Sequence, residues 1–247
     1  MGWGAVLSIM CTLTWWRGSA ETFEVFFNRD EKKTRSRAVE PRRFVVGGVG
    51  YLSPRDPDAG GTWMVANAKG VVVCLLNRWH EEHGASGPAE SRGLLVERMA
   101  GMENVPAVEE QLRSEDLGRV RPFTLVAFDA VGERGFDWNG RALSRAELAM
   151  PLCSSSYHFD EVEAARRARF AELIGRSHWE GEDLERYHAD TGAGASAYTV
   201  RMCRADAQTM SRSRVRVGRE RVCWDYWEER PEFGGLPEAH RIGLDRE

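Results

Sequence analysis

The sequence has few of the features that mark membrane, secreted or metal-binding proteins. It holds only five cysteines, an odd number, without a Cys-X-X-Cys pair or a histidine at zinc-ligand spacing. This argues against a disulfide framework and a structural zinc site. No apolar run approaches the ~20 residues of a membrane span, and residues 1–10 lack the basic segment of a secretory signal. We therefore expect a protein of the reducing cytoplasm, with no membrane span and no metal.

The chain also lacks a net positive charge. The formal net charge is −4, which argues against nucleic acid as a partner. Only three of the 34 basic residues are lysines, and this arginine bias reflects either genomic base composition or anionic ligands.

A Gly-rich phosphate loop and a Ser-centred nucleophile elbow are absent too. The sequence indicates no cofactor and no oligomeric state, and the expected partner is a small-molecule substrate or ligand.

What the chain does have is a succession of short β-like runs at both ends, with helical periodicity between them. Strands are predicted at 12–16, 23–27, 44–46, 62–66, 71–76, 123–128, 134–138, 197–203, 213–217 and 222–227. Helices are predicted at 91–99, 106–112 and 160–174, and the Gly/Pro-rich segment 231–247 is expected to be an extended tail. Strands at both ends with helices grouped between them predict one α+β domain with antiparallel sheets.

The most informative residue is Cys11, which directly follows Met10. If translation begins at Met10 and that methionine is removed, the thiol and a free α-amine belong to the same residue. One residue then supplies both a nucleophile and a base. Residues 1–9 are the obstacle, so we expect them to be a mis-assigned or removed extension. The alternative is a buried structural cysteine on the first strand.

Seventeen residues after this cysteine, four polar residues follow an apolar run: Asn28, Arg29, Asp30 and Glu31. One interpretation is a charged turn before a basic loop. The other is a site in which the aspartate holds an ammonium group and the arginine holds a carbonyl or carboxylate.

Asn77 closes the buried run 71–76. It is either a strand-terminating turn residue or a donor to a developing oxyanion. His80 and His83 are three residues apart with acidic residues between them, and a solvated loop is the favoured interpretation over a metal site. The run Ser154, Ser155 and Ser156 precedes a predicted helix and is interpreted as an N-cap cluster.

Together these motifs resemble the NRDE family, which includes the eukaryotic transport and Golgi organisation protein 2. The resemblance covers residues 10 to 230. It rests on Met10-Cys11, Asn28-Arg29-Asp30-Glu31, Gly60-Gly61-Thr62-Trp63, Asn77, Ser91-Arg92-Gly93, Ser154-Ser155-Ser156, Val200-Arg201-Met202-Cys203-Arg204 and Met210-Ser211-Arg212-Ser213.

The resemblance implies the fold of N-terminal-nucleophile hydrolases, a four-layer αββα sandwich formed by residues 10–230. The run 65–77 is also similar to the strand-turn-strand of cysteine-type bile-salt and penicillin V acylases, in which an asparagine helps form the oxyanion hole. Asp30, nineteen residues after Cys11, falls where those enzymes place an aspartate, whereas Arg29 departs from their arginine spacing. Cys11, Arg29, Asp30 and Asn77 are the implied catalytic residues.

Four further residues are predicted to bind substrate: Asn28, Glu31, Trp63 and Arg92. The function implied is a cysteine amidohydrolase that acts on a small acylated amide. The alternative is a non-catalytic factor that handles haem or acyl lipids, because eukaryotic NRDE proteins are associated with secretory organisation and with haem or lipid handling.

Overall fold

The computed structural model of the protein describes residues 11–18, 21–78, 90–175, 178–233 and 235–247. The predictions about residues 1–9, Met10, His80 and His83 lie outside these ranges.

Thirteen antiparallel strands form two sheets in the described part of the chain. The six-stranded sheet has the order β10-β1-β2-β11-β12-β13. Its members are β1 (Cys11–Arg17), β2 (Phe23–Lys32), β10 (Leu152–Ser154), β11 (Ala207–Val217), β12 (Arg221–Glu228) and β13 (His240–Asp245). The seven-stranded sheet runs from β3 to β9 in chain order. Its members are β3 (Val39–Val46), β4 (Val49–Arg55), β5 (Met64–Asn67), β6 (Val72–Asn77), β7 (Phe123–Phe128), β8 (Glu133–Trp138) and β9 (Leu143–Ala146).

The two sheets pack face to face because alternate residues of their strands are apolar. On β1, Leu13 and Trp15 point into the space between the sheets and pack with Met64 and Cys74 of the other sheet. Side chains alternate between the two faces of a strand, so the neighbouring Thr12 and its equivalents face the opposite side. The apolar side chains buried between the two sheets therefore form the central core.

Four α-helices in the described ranges cover the outer faces. On the seven-stranded sheet, α1 (Arg92–Arg98) and α2 (Val105–Ser114) bury apolar side chains such as Leu95 and Val108. On the six-stranded sheet, α3 (Phe159–Ile174) and α4 (Gly181–Ala189) pack through Ile174 and Leu184 against Phe26. Two short 3-10 helices span Leu117–Arg119 and Pro231–Phe233. The layers thus follow the order αββα, and the predicted fold is confirmed.

Three local predictions need correction. The segment 197–203 is a succession of turns and not a strand. Thr199 accepts from the Ser196 backbone and donates to backbone oxygens, and these local hydrogen bonds compete with the backbone pairing of a strand. The tetrad that begins at Asn28 lies inside β2 and does not follow it. The serine run does not cap α3, whose N-cap is His158.

The segment 231–247, which the sequence indicates as an extended tail, contains β13. This strand pairs with β12 from Arg221 opposite Asp245 to Tyr226 opposite His240, and it forms one edge of the six-stranded sheet.

A buried hydrogen-bond network ties α4 to the central strands. His188 Nδ1 lies 2.7 Å from Asn28 Oδ1, and His188 Nε2 lies 2.8 Å from Thr14 Oγ1. Asn28 Nδ2 donates to the carbonyls of His188 and Val200. Asn28 Oδ1 therefore accepts from His188 Nδ1, and the Thr14 hydroxyl donates to His188 Nε2. Burial lowers the pKa of His188 well below its ordinary value, and nearby arginines lower it further.

His188 makes stability depend on pH. Because the pKa of this histidine is lower in the folded than in the unfolded chain, the unfolded chain takes up the extra proton below pH ~6.5. Stability is complete above that pH and falls on acidification. We expect wild type to lose about 1.4 kcal/mol more than His188→Gln between about pH 7.5 and pH 5.5. Denaturant melts at both pH values measure this difference, and equal losses would contradict a neutral buried imidazole.

Candidate active site

A cavity of about 350 Å³ opens between the two sheets at the start of β1. Six of the eight predicted site residues line it. Its wall is formed by Cys11, Arg29, Glu31, Arg35, Asp56, Ala59, Gly61, Thr62, Trp63, Leu75, Asn77, Glu90, Ser91, Arg92, Gly93 and Arg121.

Strand register places Cys11 in this wall. It lies between two neighbours of the six-stranded sheet, opposite Arg29 of β2 on one side and Ser154 of β10 on the other. The residue is only 5% exposed. Burial, together with the negative charge of Asp30, raises the pKa of its thiol to about 12. With Met10 attached, the thiol is therefore protonated at neutral pH and is a poor nucleophile.

Two glycines bring the loop before β5 and the start of α1 together at the cavity. Thr62 N donates to Gly93 O over 3.2 Å, so the loop before β5 lies directly on the start of α1. A Cβ on Gly61 would lie 2.3 Å from the carbonyl carbon of Gly93. The contact requires glycine on both sides. It positions Trp63, two residues after Gly61, and Arg92, directly before Gly93.

This contact gives a test of how the site is built. Gly61→Ala forces backbone atoms apart, and we expect a loss of about 1–3 kcal/mol of stability together with loss of ligand binding in the cavity. Gly132→Ala is the matched control, because a Cβ there meets nothing within 4 Å. Thermal melts of both variants measure the difference. An unchanged melt for Gly61→Ala would show that the loop and helix do not rely on this approach.

Arg29 is held by aromatic and ionic contacts. Its guanidinium lies 4.5 Å over the ring of Trp63. Its Nη2 donates to Glu31 and to Asp56, each over 3.1 Å. Arg35 shares Asp56 through a contact of 2.6 Å. These charges hold the arginine in a fixed position beside Cys11.

Asn77 is the last residue of β6 and lines two cavities. It lines the cavity of Cys11 and also a second one of about 280 Å³. The second cavity is lined as well by Cys153 and Ser154. Ser154 is 4% exposed, and its Oγ has no hydrogen-bond partner in the described part of the chain. The amide of Asn77 and the hydroxyl of Ser154 thus both line the second cavity, and Asn77 also lines the cavity of Cys11.

Asn28 and Asp30 do not line the cavity. They alternate with Arg29 along β2 and therefore face the helical layer. Asn28 belongs to the His188 network, and Asp30 accepts from Arg166 over 3.0 Å and from Thr209 over 2.6 Å. Burial raises the pKa of Asp30, while Arg166 and Thr209 oppose that rise.

Sequence reasoning missed Arg35, Asp56 and Arg121 of the cavity and Arg166 behind it. The first three lie in loops without a motif. The burial of Arg166 could have been predicted, because this residue is four positions after Val162 and four before Phe170 on the apolar face of α3.

Fold and cavity together define a protein of the N-terminal-nucleophile hydrolase fold class. The sequence model of the Transport and Golgi organisation 2 family matches residues 10–174. The chain therefore belongs to this family, in agreement with the resemblance to NRDE proteins. No curated protein matches it in sequence.

Solved structures agree on the fold. A cysteine-to-alanine variant of conjugated bile acid hydrolase from Clostridium perfringens superposes with a TM-score of 0.57 at 12% identity, over 95% of this chain and 92% of that one. The Caenorhabditis elegans orthologue of N-acylethanolamine-hydrolyzing acid amidase gives 0.55 at 10% identity, over 84% and 91%. An arginine-to-leucine variant of the bile acid hydrolase gives 0.52 at 12% identity, over 96% and 97%. Among the helices described, none has the length and apolar character needed to cross a bilayer.

Proposed function

We propose that the protein is a cysteine amidohydrolase that cleaves a small acylated amide. The observation that carries this proposal is the register of Cys11. It opens β1 and faces a polar cavity beside Arg29, and Asn77 of the other sheet lines the same cavity. The solved structures of similar fold include an amidase and a hydrolase of conjugated bile acids by their names.

We propose further that the mature chain begins at Cys11. A thiol with a pKa of about 12 has a negligible thiolate population at neutral pH. A free α-amine on the same residue changes this, because its ordinary pKa of ~7.7–8.0 suits a base that takes the thiol proton. Asp30 is the residue proposed to orient this amine, because it adjoins Arg29, the β2 partner of Cys11, and Arg166 and Thr209 hold its carboxylate in place.

The reaction then follows in two balanced steps. The sulfur of Cys11 bonds to the amide carbonyl carbon, Asn77 donates to the oxygen that becomes negative, and the α-amine carries the thiol proton to the departing nitrogen. The C–N bond breaks and leaves a thioester. Water, deprotonated by the same amine, attacks the thioester carbonyl, and the C–S bond breaks to release the acid and restore the thiol.

Incubation with a panel of N-acyl amides tests this proposal, with mass spectrometry of the products. Release of a free acid and a free amine in equal amounts is expected for some member of the panel. Complete stability of every amide, together with absence of a thioester on Cys11, would overturn it.

The alternative, a non-catalytic carrier of haem or acyl lipid, rests on the family membership. The cavity wall supports it less, because arginines and carboxylates outnumber apolar side chains there. Titration of haem and of long-chain acyl-CoA into wild type and Cys11→Ala separates the two functions. Equal, tight binding by both proteins without turnover would favour the carrier.

A further inference from the structure

The cavity of Cys11 presents buried hydrogen-bond donors that have no acceptor. Arg29 is 5% exposed and Trp63 is 8% exposed. Within the described residues, neither Arg29 Nη1 nor Trp63 Nε1 has a hydrogen-bond partner. Buried N–H groups without partners are costly, and those of a charged guanidinium most of all. Two such donors in the wall of one cavity indicate a ligand that supplies acceptors.

The carboxylates of the wall do not fill this role, because other arginine atoms already hold them. Glu31 and Asp56 each contact Arg29 Nη2 at 3.1 Å. Arg35 contacts the same two carboxylates at 3.6 and 2.6 Å. Arg29 and Arg35 thus share these two carboxylates, and Arg35 also contacts Asp58 at 3.4 Å. Among the described residues Arg29 Nη1 is still left without an acceptor.

Arg92 and Arg121 add positive charge to the cavity wall. Glu90 is engaged by Arg98 Nη1 at 2.6 Å, and Arg98 does not line the cavity. Arg121 is exposed at the cavity and forms no ion pair with the residues that the structure describes. Burial, together with the charge of Arg121, lowers the pKa of Arg92 to about 10. An anion placed between these two guanidinium groups would relieve their repulsion.

We propose that Arg29, Trp63, Arg92 and Arg121 form an anion subsite that binds a carboxylate of the substrate. A carboxylate is planar and has two acceptor oxygens, which match the paired N–H groups of a guanidinium. This inference rests on the proposed amidohydrolase function and narrows its substrate. The substrate class is an amide that carries a free carboxylate, on either the acyl or the amine side, small enough for a cavity of about 350 Å³.

Binding to Cys11→Ala protein tests the subsite without turnover. We would titrate N-octanoylglycine, with its carboxylate on the amine side, and N-octylsuccinamic acid, with its carboxylate on the acyl side. The methyl ester of each compound is its neutral control. We expect at least one acid to bind about 10-fold more tightly than its ester. Equal binding of acid and ester in both pairs, or no saturable binding of either acid, would overturn the proposal.

Variants assign the preference to these residues. Trp63→Phe keeps the ring under Arg29 and removes the indole donor, and Arg121→Gln removes the charge at the rim. Each is expected to reduce the preference for the acid about 3-fold or more. Arg219→Gln is the matched control, because Arg219 lies in the turn after β11, at the far end of the sheet. A preference that neither Trp63→Phe nor Arg121→Gln reduces would contradict the assignment.

The two proposals fail separately. A carboxylate preference in Cys11→Ala without hydrolysis of any amide by wild type leaves the subsite standing and removes the enzyme. Hydrolysis of acid and ester at equal rates, with equal affinity, removes the subsite and leaves the enzyme.

Discussion

Replacing Cys11 with alanine is expected to lower amide hydrolysis by at least ~10³-fold, because the proposed reaction has no other nucleophile. The fold should survive, since the change removes one sulfur atom at the edge of a cavity. Cys223→Ala is the matched control; that partly exposed cysteine lies on β12 and does not line the cavity. Initial rates with any amide that wild type cleaves measure the effect, with melts to verify folding. Activity of Cys11→Ala within 10-fold of wild type would refute covalent catalysis by this thiol.

Asn77→Ala should produce the second largest effect. Loss of one oxyanion donor typically costs ~10²–10³ in rate. The loss should appear in kcat and not in KM, because the negative oxygen exists only in the transition state. Asn139→Ala is the control, because Asn139 is an exposed turn residue that accepts backbone hydrogen bonds. A rise in KM with unchanged kcat would instead assign Asn77 to ground-state binding.

The sequence carried enough information for the main lines of this fold. The continuous apolar run before Asn77 predicted a strand buried on both faces, and β6 is such a strand. The run 123–128 was predicted with the bounds that the structure has. The Met10-Cys11 pair drew attention to a cysteine that does open a strand and line a cavity.

Other features were inaccessible because they depend on contacts between distant segments. α4 is short and polar, and it is held by tertiary contacts such as that of His188 with Thr14. The capping box of Glu180 and Asp183 at its start is a local helical signal that the sequence analysis missed. The ion-pair partners of Arg29 likewise include Asp56, whose loop has no motif.

The polar tetrad shows a different kind of limit. Its four residues were grouped by their adjacency in sequence, yet a strand sends alternate side chains to opposite faces. Arg29 and Glu31 accordingly reach the cavity, while Asn28 and Asp30 tie β2 to the helical layer. Recognition of the strand through Lys32 would have predicted this division.

The most direct test of the central claim is the intact mass of protein made from the native gene, before and after reaction with a thiol-directed acylating probe near neutral pH. The account predicts a chain that begins at Cys11 and gains one adduct at that residue, while Cys11→Ala gains none. A fully active chain that retains Met1, or an adduct that persists in Cys11→Ala, would contradict it.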